Sequence, residues 1–257
     1  SSASSDASSS AAKTEKLQQI KDAGVLKVGT SAEYSPYEFH KGVDGEDKIV
    51  GFDDFVVQEI AKDMGVKVEY EDMDFDGLLG ALQADKVDIV LAGMTPDEKR
   101  KKSVDFSDIY YTNSNVCIVA KGKEDTIKKS EDLKGLKVGV QKGTTQADYV
   151  TNTLGISDAT QLKKIPDLML ELQNGKIDVI VTGKAVAEIN VKKYDNIAIG
   201  NTTVGDEVAE TAAAAIKKSG NGVDNTSFVK SVNDTIKRLQ DSGDMDKYMQ
   251  EALKLAE

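Results

Sequence analysis

The chain has no tryptophan, one histidine and one cysteine among its 257 residues, and each scarcity closes off a class of chemistry. Cys117, set in a strand-like run at 114–120, can form neither a disulfide nor a cysteine metal cluster within the chain, and it reads as a small core residue. His40 sits in a polar stretch and reads as a surface side chain. No GxSxG, HExxH, phosphate-binding loop or metal-spaced Cys/His set is present, so no cofactor or metal is expected. No apolar run approaches the length of a membrane span. An excess of basic residues is missing too: the net charge is -11, which argues against nucleic acid or an anionic membrane as partner, because both reward a basic surface. Without tryptophan, intrinsic fluorescence is a poor reporter of binding.

With 39% hydrophobic and 30% charged residues the chain reads as a soluble globular protein, long enough for one large domain or two modest ones. It opens with SSASSDASSSAA, a Ser/Ala tract that cannot build a packed core and is expected to be flexible. Such a leader fits a cloning scar or the tether of a processed exported protein; these residues carry no initiator Met, apolar signal core or lipidation cysteine.

Residues 14–23 read as a short helix stopped by Gly24, and 25–30 as a first strand. SAEYSPYEF at 31–39 reads as an aromatic loop and 44–51 as a turn-laden excursion. Asp53 or Asp54 is then expected to cap a helix whose apolar positions Val56, Ile60 and Met64 recur every four residues, with Gly65 as its stop. Residues 66–70 follow as a strand, 75–84 as a helix and 87–91 as a strand. Two amphipathic helices end the chain, one carrying Phe228, Val229, Val232, Ile236 and Leu239, the other Met245, Tyr248, Met249, Ala252 and Leu255, with Gly243 between them.

The middle of the chain begins again. LKVG at 26–29 recurs at 136–139, and LLGALQADKVDIVLAG at 78–93 is echoed by LMLELQNGKIDVIVTG at 168–183. Both echoes keep the order helix, turn, strand, glycine, which predicts two similar α/β lobes with mostly parallel sheets. Ligand sites in such sheets lie outside the carboxyl ends of the strands. Gly93, Thr95 and Arg100 lie beyond one such end, and 141–145 beyond another. Arg100 is the side chain there best suited to a carboxylate, since its planar fork donates two parallel hydrogen bonds while Lys99, Lys101 and Lys102 are hydrated point charges. A solvated basic turn is the plainer reading of the same residues.

Four segments, GFDDFVVQEIAKDMGVKVEY at 51–70, 78–111, LKGLKVGVQKGTTQADYV at 133–150 and NGKIDVIVTGKAVAE at 174–188, resemble the extracellular solute-binding proteins that feed ABC importers for polar amino acids. The resemblance spans the chain after about residue 20. It implies a type II periplasmic-binding-protein fold: two α/β lobes joined by a two-strand hinge, with the ligand cleft between them. It places residues 1–24 as a tether and short helix, 25–111 plus 214–257 as lobe 1, and 112–213 as lobe 2, with crossings near 111–115 and 211–215. It implies that a backbone group of Gly93, Thr95, the Arg100 guanidinium and Thr145 hold the ligand carboxylate. Thr144 and Thr145 open a predicted helix whose free N–H groups favour an anion. By the same resemblance Tyr34 and Phe75 sandwich the ligand side chain, while Ser31, Glu33 and Gln141 choose among side chains.

One departure stands out. Family members generally carry an acid just after the second-lobe strand, to pair with the ligand's ammonium, and here that position is Gly183. A buried ammonium without a countercharge is costly, so either another acid such as Glu188 or Glu33 serves, or amino-acid affinity is weak, or the ligand differs. The expected function is the substrate-binding component of an ABC importer, a monomer partnered by the transporter's membrane subunits. It would sit at the extracellular face of the membrane, lipid-anchored in a Gram-positive bacterium or periplasmic in a Gram-negative one. The alternatives are a cyclohexadienyl-dehydratase-like enzyme on the same scaffold and the sensing domain of a membrane receptor.

Overall fold

A computed structural model of the protein describes residues 13–257; the Ser/Ala tract lies outside the described residues. These residues fall into two α/β units. Unit 1 holds the chain through Tyr34, then Glu38–Tyr110 and Ala213–Tyr248; unit 2 holds Ser35–Tyr37, Tyr111–Ala212 and Met249–Glu257. The grouping differs from the expected boundaries at two places. Glu257 is held by the Lys192 ammonium at 2.6 Å, and Tyr37 packs edge-on against Tyr111 with ring centroids 6.2 Å apart, so the chain's end and the short 35–37 segment go with unit 2.

Each unit is built on a five-stranded sheet of the same design. In unit 1 the order is Lys67–Asp72, Val25–Thr30, Ile89–Val90, Ala215–Lys217, Val104–Phe106; the first three strands are parallel and Ala215–Lys217 runs antiparallel to both its neighbours. In unit 2 the order is Thr160–Leu162, Val138–Gln141, Val179–Gly183, Asn115–Ala120, Ile197–Ile199, with the same three parallel and the same antiparallel fourth strand. The sequence echo maps onto this shared design. Lys27 N–H donates to the Asp88 carboxylate at 2.9 Å and Asp88 N–H returns to the Lys27 carbonyl at 2.8 Å; Lys137 and Asp178 repeat both bonds at 2.8 Å. Strand and helix–strand turn are thereby locked together in each unit by the same pair of residues.

The repeated glycine of LKVG is required by packing. A Cβ on Gly29 would meet Leu78, Val87 and Val90, each at 3.3 Å; one on Gly139 would meet Ile177 at 2.7 Å and Leu168 at 3.0 Å, the matching residues of the second echo. The helix preceding each third strand therefore packs onto its sheet at the distance a glycine allows. Gly139→Ala is expected to cost about 1–3 kcal/mol through overpacking, read as a lowered midpoint in urea with an unchanged m-value; an unchanged midpoint would show that Ile177 gives way freely.

Helix Phe52–Met64 buries Val56, Ile60 and Met64 as their spacing dictates, and Gly65 ends it in the left-handed region at φ 73°. The expected cap is absent: Gly51 holds the N-cap position with no side-chain bond, and Asp53 faces inward, 2% exposed. The excursion after residue 38 is a hairpin, Glu38–Val43 paired with Glu46–Val50, turned by Asp44 and Gly45, both at positive φ. Helices Thr226–Asp241 and Asp244–Leu255 close the chain. The first of them meets Phe52–Met64 through Arg238, which bridges Glu59 at 2.9 Å and Asp63 at 3.0 Å. Cys117 lies in the unit 2 core with its thiol pushed up to about 12 by burial, consistent with an inert packing role.

The chain passes from unit 1 to unit 2 after Tyr110 and returns after Ala212. The strands beyond those points, Tyr111–Asn113 and Glu210–Ala212, pair antiparallel, with Asn113 opposite Glu210.

Candidate functional site

In unit 1 the buried strand Ile89–Val90 leads to Gly93, which turns the chain at φ 59°. Asp97 then caps the short helix Glu98–Lys101 by accepting from Arg100 N–H at 2.8 Å. That cap turns the Arg100 side chain back over the strand end: Nη1 donates to the Thr95 carbonyl at 2.9 Å, lies 3.6 Å from the Asp97 carboxylate, and the guanidinium stands 5.4 Å from the Phe75 ring centroid. Three sequence-predicted residues, Thr95, Arg100 and Phe75, are thus brought together. The Arg100 side chain is 28% exposed, and its Nε and Nη2 donate to no described residue, leaving one arm of the fork for an outside acceptor.

Gly93 has its N–H already committed, at 2.8 Å, to the Asp53 carboxylate. Its free backbone group is therefore a carbonyl, an acceptor, which suits a ligand N–H or O–H and repels a carboxylate oxygen. Asp53 also accepts from the Tyr110 hydroxyl, so one buried side chain ties the strand end to the last residue before the crossing. Beside it lies Glu38, 1% exposed, whose oxygens accept no hydrogen bond from a described donor. Burial, and then the charge of Asp53, push the Glu38 carboxyl well above its usual range. Burial also raises Asp53, while its donors pull the other way. Asp53 was misread as a cap because its partners lie 40 and 57 residues away, beyond any local pattern.

Tyr34 and Ser31 are half-buried and Glu33 is exposed, at the short strand Glu33–Tyr34 that pairs with Glu38–Val43. His40 is exposed between Asp72 at 2.6 Å and Asp47 at 2.9 Å; the hydrogen bond to Asp72, above all, raises its pKa.

In unit 2, Thr144 caps the helix Thr145–Asp148, accepting from Ala147 N–H at 3.1 Å and donating to the Gln141 carbonyl at 2.7 Å. Thr145 is exposed at the first helical position, where backbone N–H groups have no partner within the helix. Gln141 spends its amide on the Lys163 carbonyl at 3.0 Å. Gly183, buried, ends strand Val179–Gly183 and holds the N-cap position of helix Lys184–Val191. Of the two acids proposed to stand in for the missing one, Glu188 pairs with Lys184 at 3.9 Å on its own helix, and Glu33 belongs to unit 1. Among the described residues no group of three His, Cys, Asp or Glu side chains is arranged to hold a metal, and no helix is long and apolar enough to cross a membrane.

Residues 26–254 match the family described as bacterial extracellular solute-binding proteins, family 3. The chain belongs to that family. The arginine-binding extracellular protein ArtP of Bacillus subtilis is 37% identical over 225 residues, 86% of this chain and 83% of ArtP. Among solved structures, an amino acid ABC transporter substrate-binding protein of Streptococcus pneumoniae bound to L-arginine superimposes with a TM-score of 0.69 at 31% identity, covering 94% of this chain and 98% of its own. An ancestral cyclohexadienyl dehydratase superimposes with a TM-score of 0.67 at 28% identity, covering 93% and 96%. The fold is that of the type II periplasmic binding proteins, with two sheets of mostly parallel strands. As a family 3 protein the chain is an extracellular or periplasmic solute binder.

Proposed function

We propose that this solute-binding protein is the substrate-binding component of an ABC importer for a polar amino acid, whose carboxylate is held by Arg100 and Thr95 from unit 1 and by Thr145 at its helix N-terminus from unit 2. The observation that carries the reading is the Arg100 guanidinium, braced on the Thr95 carbonyl and the Phe75 ring with part of its fork unspent. The Gly93 carbonyl takes a donor on the ligand's 2-substituent. Phe75 and Tyr34 flank the ligand side chain, and Ser31, Glu33 and Gln141 tune it. ArtP and the pneumococcal protein support an amino acid as the ligand. A lipid tether upstream of the Ser/Ala tract and a monomeric state complete the proposal.

The reading is of a binder without turnover. The likeness to a dehydratase is met by the lack of an acid at Gly183, and Glu38, the carboxyl raised by burial in unit 1, is sealed from solvent. Incubation with prephenate is expected to give no phenylpyruvate; measurable turnover would replace this proposal. The ligand class is tested by a thermal-shift panel of L-amino acids, amines and 2-oxo acids. A ligand at a hundred times its Kd stabilises the protein by about 2.7 kcal/mol, an upward shift of several degrees, and no shift with any amino acid would contradict the reading.

A further inference from the structure

Gly183 is not simply a position without a side chain. An added Cβ there would lie 2.4 Å from the Asn113 Nδ2 and 3.3 Å from its Cγ. The space is filled by the Asn113 carboxamide, delivered from strand Tyr111–Asn113, seventy residues earlier in the chain. Asn113 also does the work of a residue-183 side chain at the helix start: its Oδ1 accepts from Ala185 N–H at 3.1 Å, the bond an N-cap residue makes to the second helical position.

That bond decides which way the amide faces. Ala185 N–H needs an acceptor, so Oδ1 must turn to it and Nδ2 must point at the place a residue-183 side chain would take. Asn113 is 2% exposed, and this Nδ2 donates to no described residue. A nearly buried donor is thus left aimed into the position. An ammonium offers only donors and is opposed by it, whereas a hydroxyl can accept from Nδ2.

We infer that Asn113 is a specificity-determining residue that removes the demand for a cationic nitrogen on the ligand, so that the protein takes 2-hydroxy acids alongside the 2-amino acids of the same side chain. The inference rests on the proposed function, specifically on the ligand's 2-substituent meeting the residue-183 position. Glu210 stands opposite Asn113 in the ladder, where paired side chains lie roughly 5 Å apart at Cβ, and it is the acid that could restore the demand.

The test is calorimetry on two matched pairs, L-arginine with its 2-hydroxy counterpart and L-histidine with imidazolyl-lactate, using wild type, Asn113→Asp and Glu210→Gln. Asn113→Asp is isosteric, keeps the acceptor for Ala185 N–H and turns the spare donor into an anionic acceptor. Wild type is expected to bind both members of a pair within about tenfold, and Asn113→Asp to shift the ratio toward the amino acid by roughly 10- to 100-fold, the range of a charge-assisted hydrogen bond. Asn113→Ala combined with Gly183→Asp, which clears the clash and moves the acid across, is expected to shift it the same way. A wild-type preference for the amino acid above about a hundredfold, unmoved by Asn113→Asp, overturns the inference while leaving the proposed function standing. Collapse of that preference in Glu210→Gln instead overturns it in favour of Glu210. Absence of binding by either pair in every variant overturns the proposed function itself, and the inference with it.

Discussion

Replacing Arg100 with alanine is expected to abolish ligand binding while leaving the protein folded. The side chain supplies a bidentate, charge-assisted contact to the proposed carboxylate, and truncating one partner of such a pair costs about 2–5 kcal/mol, or roughly 30- to 4,000-fold in Kd. The structural loss is smaller, because Arg100 is part-exposed and forfeits one bond to a backbone carbonyl and its contact with Phe75, the latter worth about 0.5–1 kcal/mol. Arg100→Lys should fall between, since an ammonium keeps the charge but not the planar fork. Calorimetry together with a melting curve separates the effects: a flat titration and a melt shifted by a few degrees is the expected pair. Unchanged affinity in the alanine variant would remove Arg100 from the site.

The second large effect concerns pH. Glu38 is buried beside Asp53, and its folded-state pKa lies well above the ordinary 4.5. Between that value and the folded pKa the native state keeps a proton that the unfolded chain has lost, so native stability falls as pH rises across the interval. Glu38→Gln preserves shape, removes the ionisation and can donate to Asp53. The variant is expected to gain stability on wild type progressively from about pH 5 upward, and to match or trail it below pH 4. His40, raised by Asp72 and Asp47, adds a loss of the same sign near neutrality, which is why the difference between the two proteins, and not either curve alone, is the readout. Parallel urea midpoints from pH 4 to 9 would show that Glu38 titrates normally.

These effects divide along the line between what local pattern reveals and what it hides. The α/β repeat was legible because its determinants sit in two short runs that each recur, LKVG at 26–29 and 136–139 and the helix–turn–strand run at 78–93 and 168–183, and the same packing and the same Lys–Asp backbone bonds follow in both units. The tail helices were legible because apolar spacing alone predicts the burial of Phe228, Val232, Ile236 and Leu239. The Arg100 turn could be read from the strand and the glycine that precede it. The hairpin Glu38–Val50 was missed although Asp44-Gly45 is a hairpin signal, because its strands carry mostly polar residues. Asp53, Glu38 and Asn113 were missed or misread for another reason. Asp53 and Asn113 act through partners 40 or more residues away, Gly93 and Ala185, and Glu38 is set beside Asp53 by the fold. A polar residue inside an apolar helix start, as Asp53 is in GFDDFVV, is the only signal that could have pointed to burial instead of capping. For Asn113 no sequence signal was available, and Gly183 showed only the lack of an acid, not the carboxamide that fills its place.

Underlying the functional account is a single interaction, a carboxylate seated on the Arg100 fork. The most direct test compares, by calorimetry on the unaltered protein, the amino acid giving the largest thermal shift with its own C-terminal carboxamide, identical except that the anionic group is gone. A loss of at least about a hundredfold in affinity for the amide is the predicted result; equal affinity for the two would contradict the account.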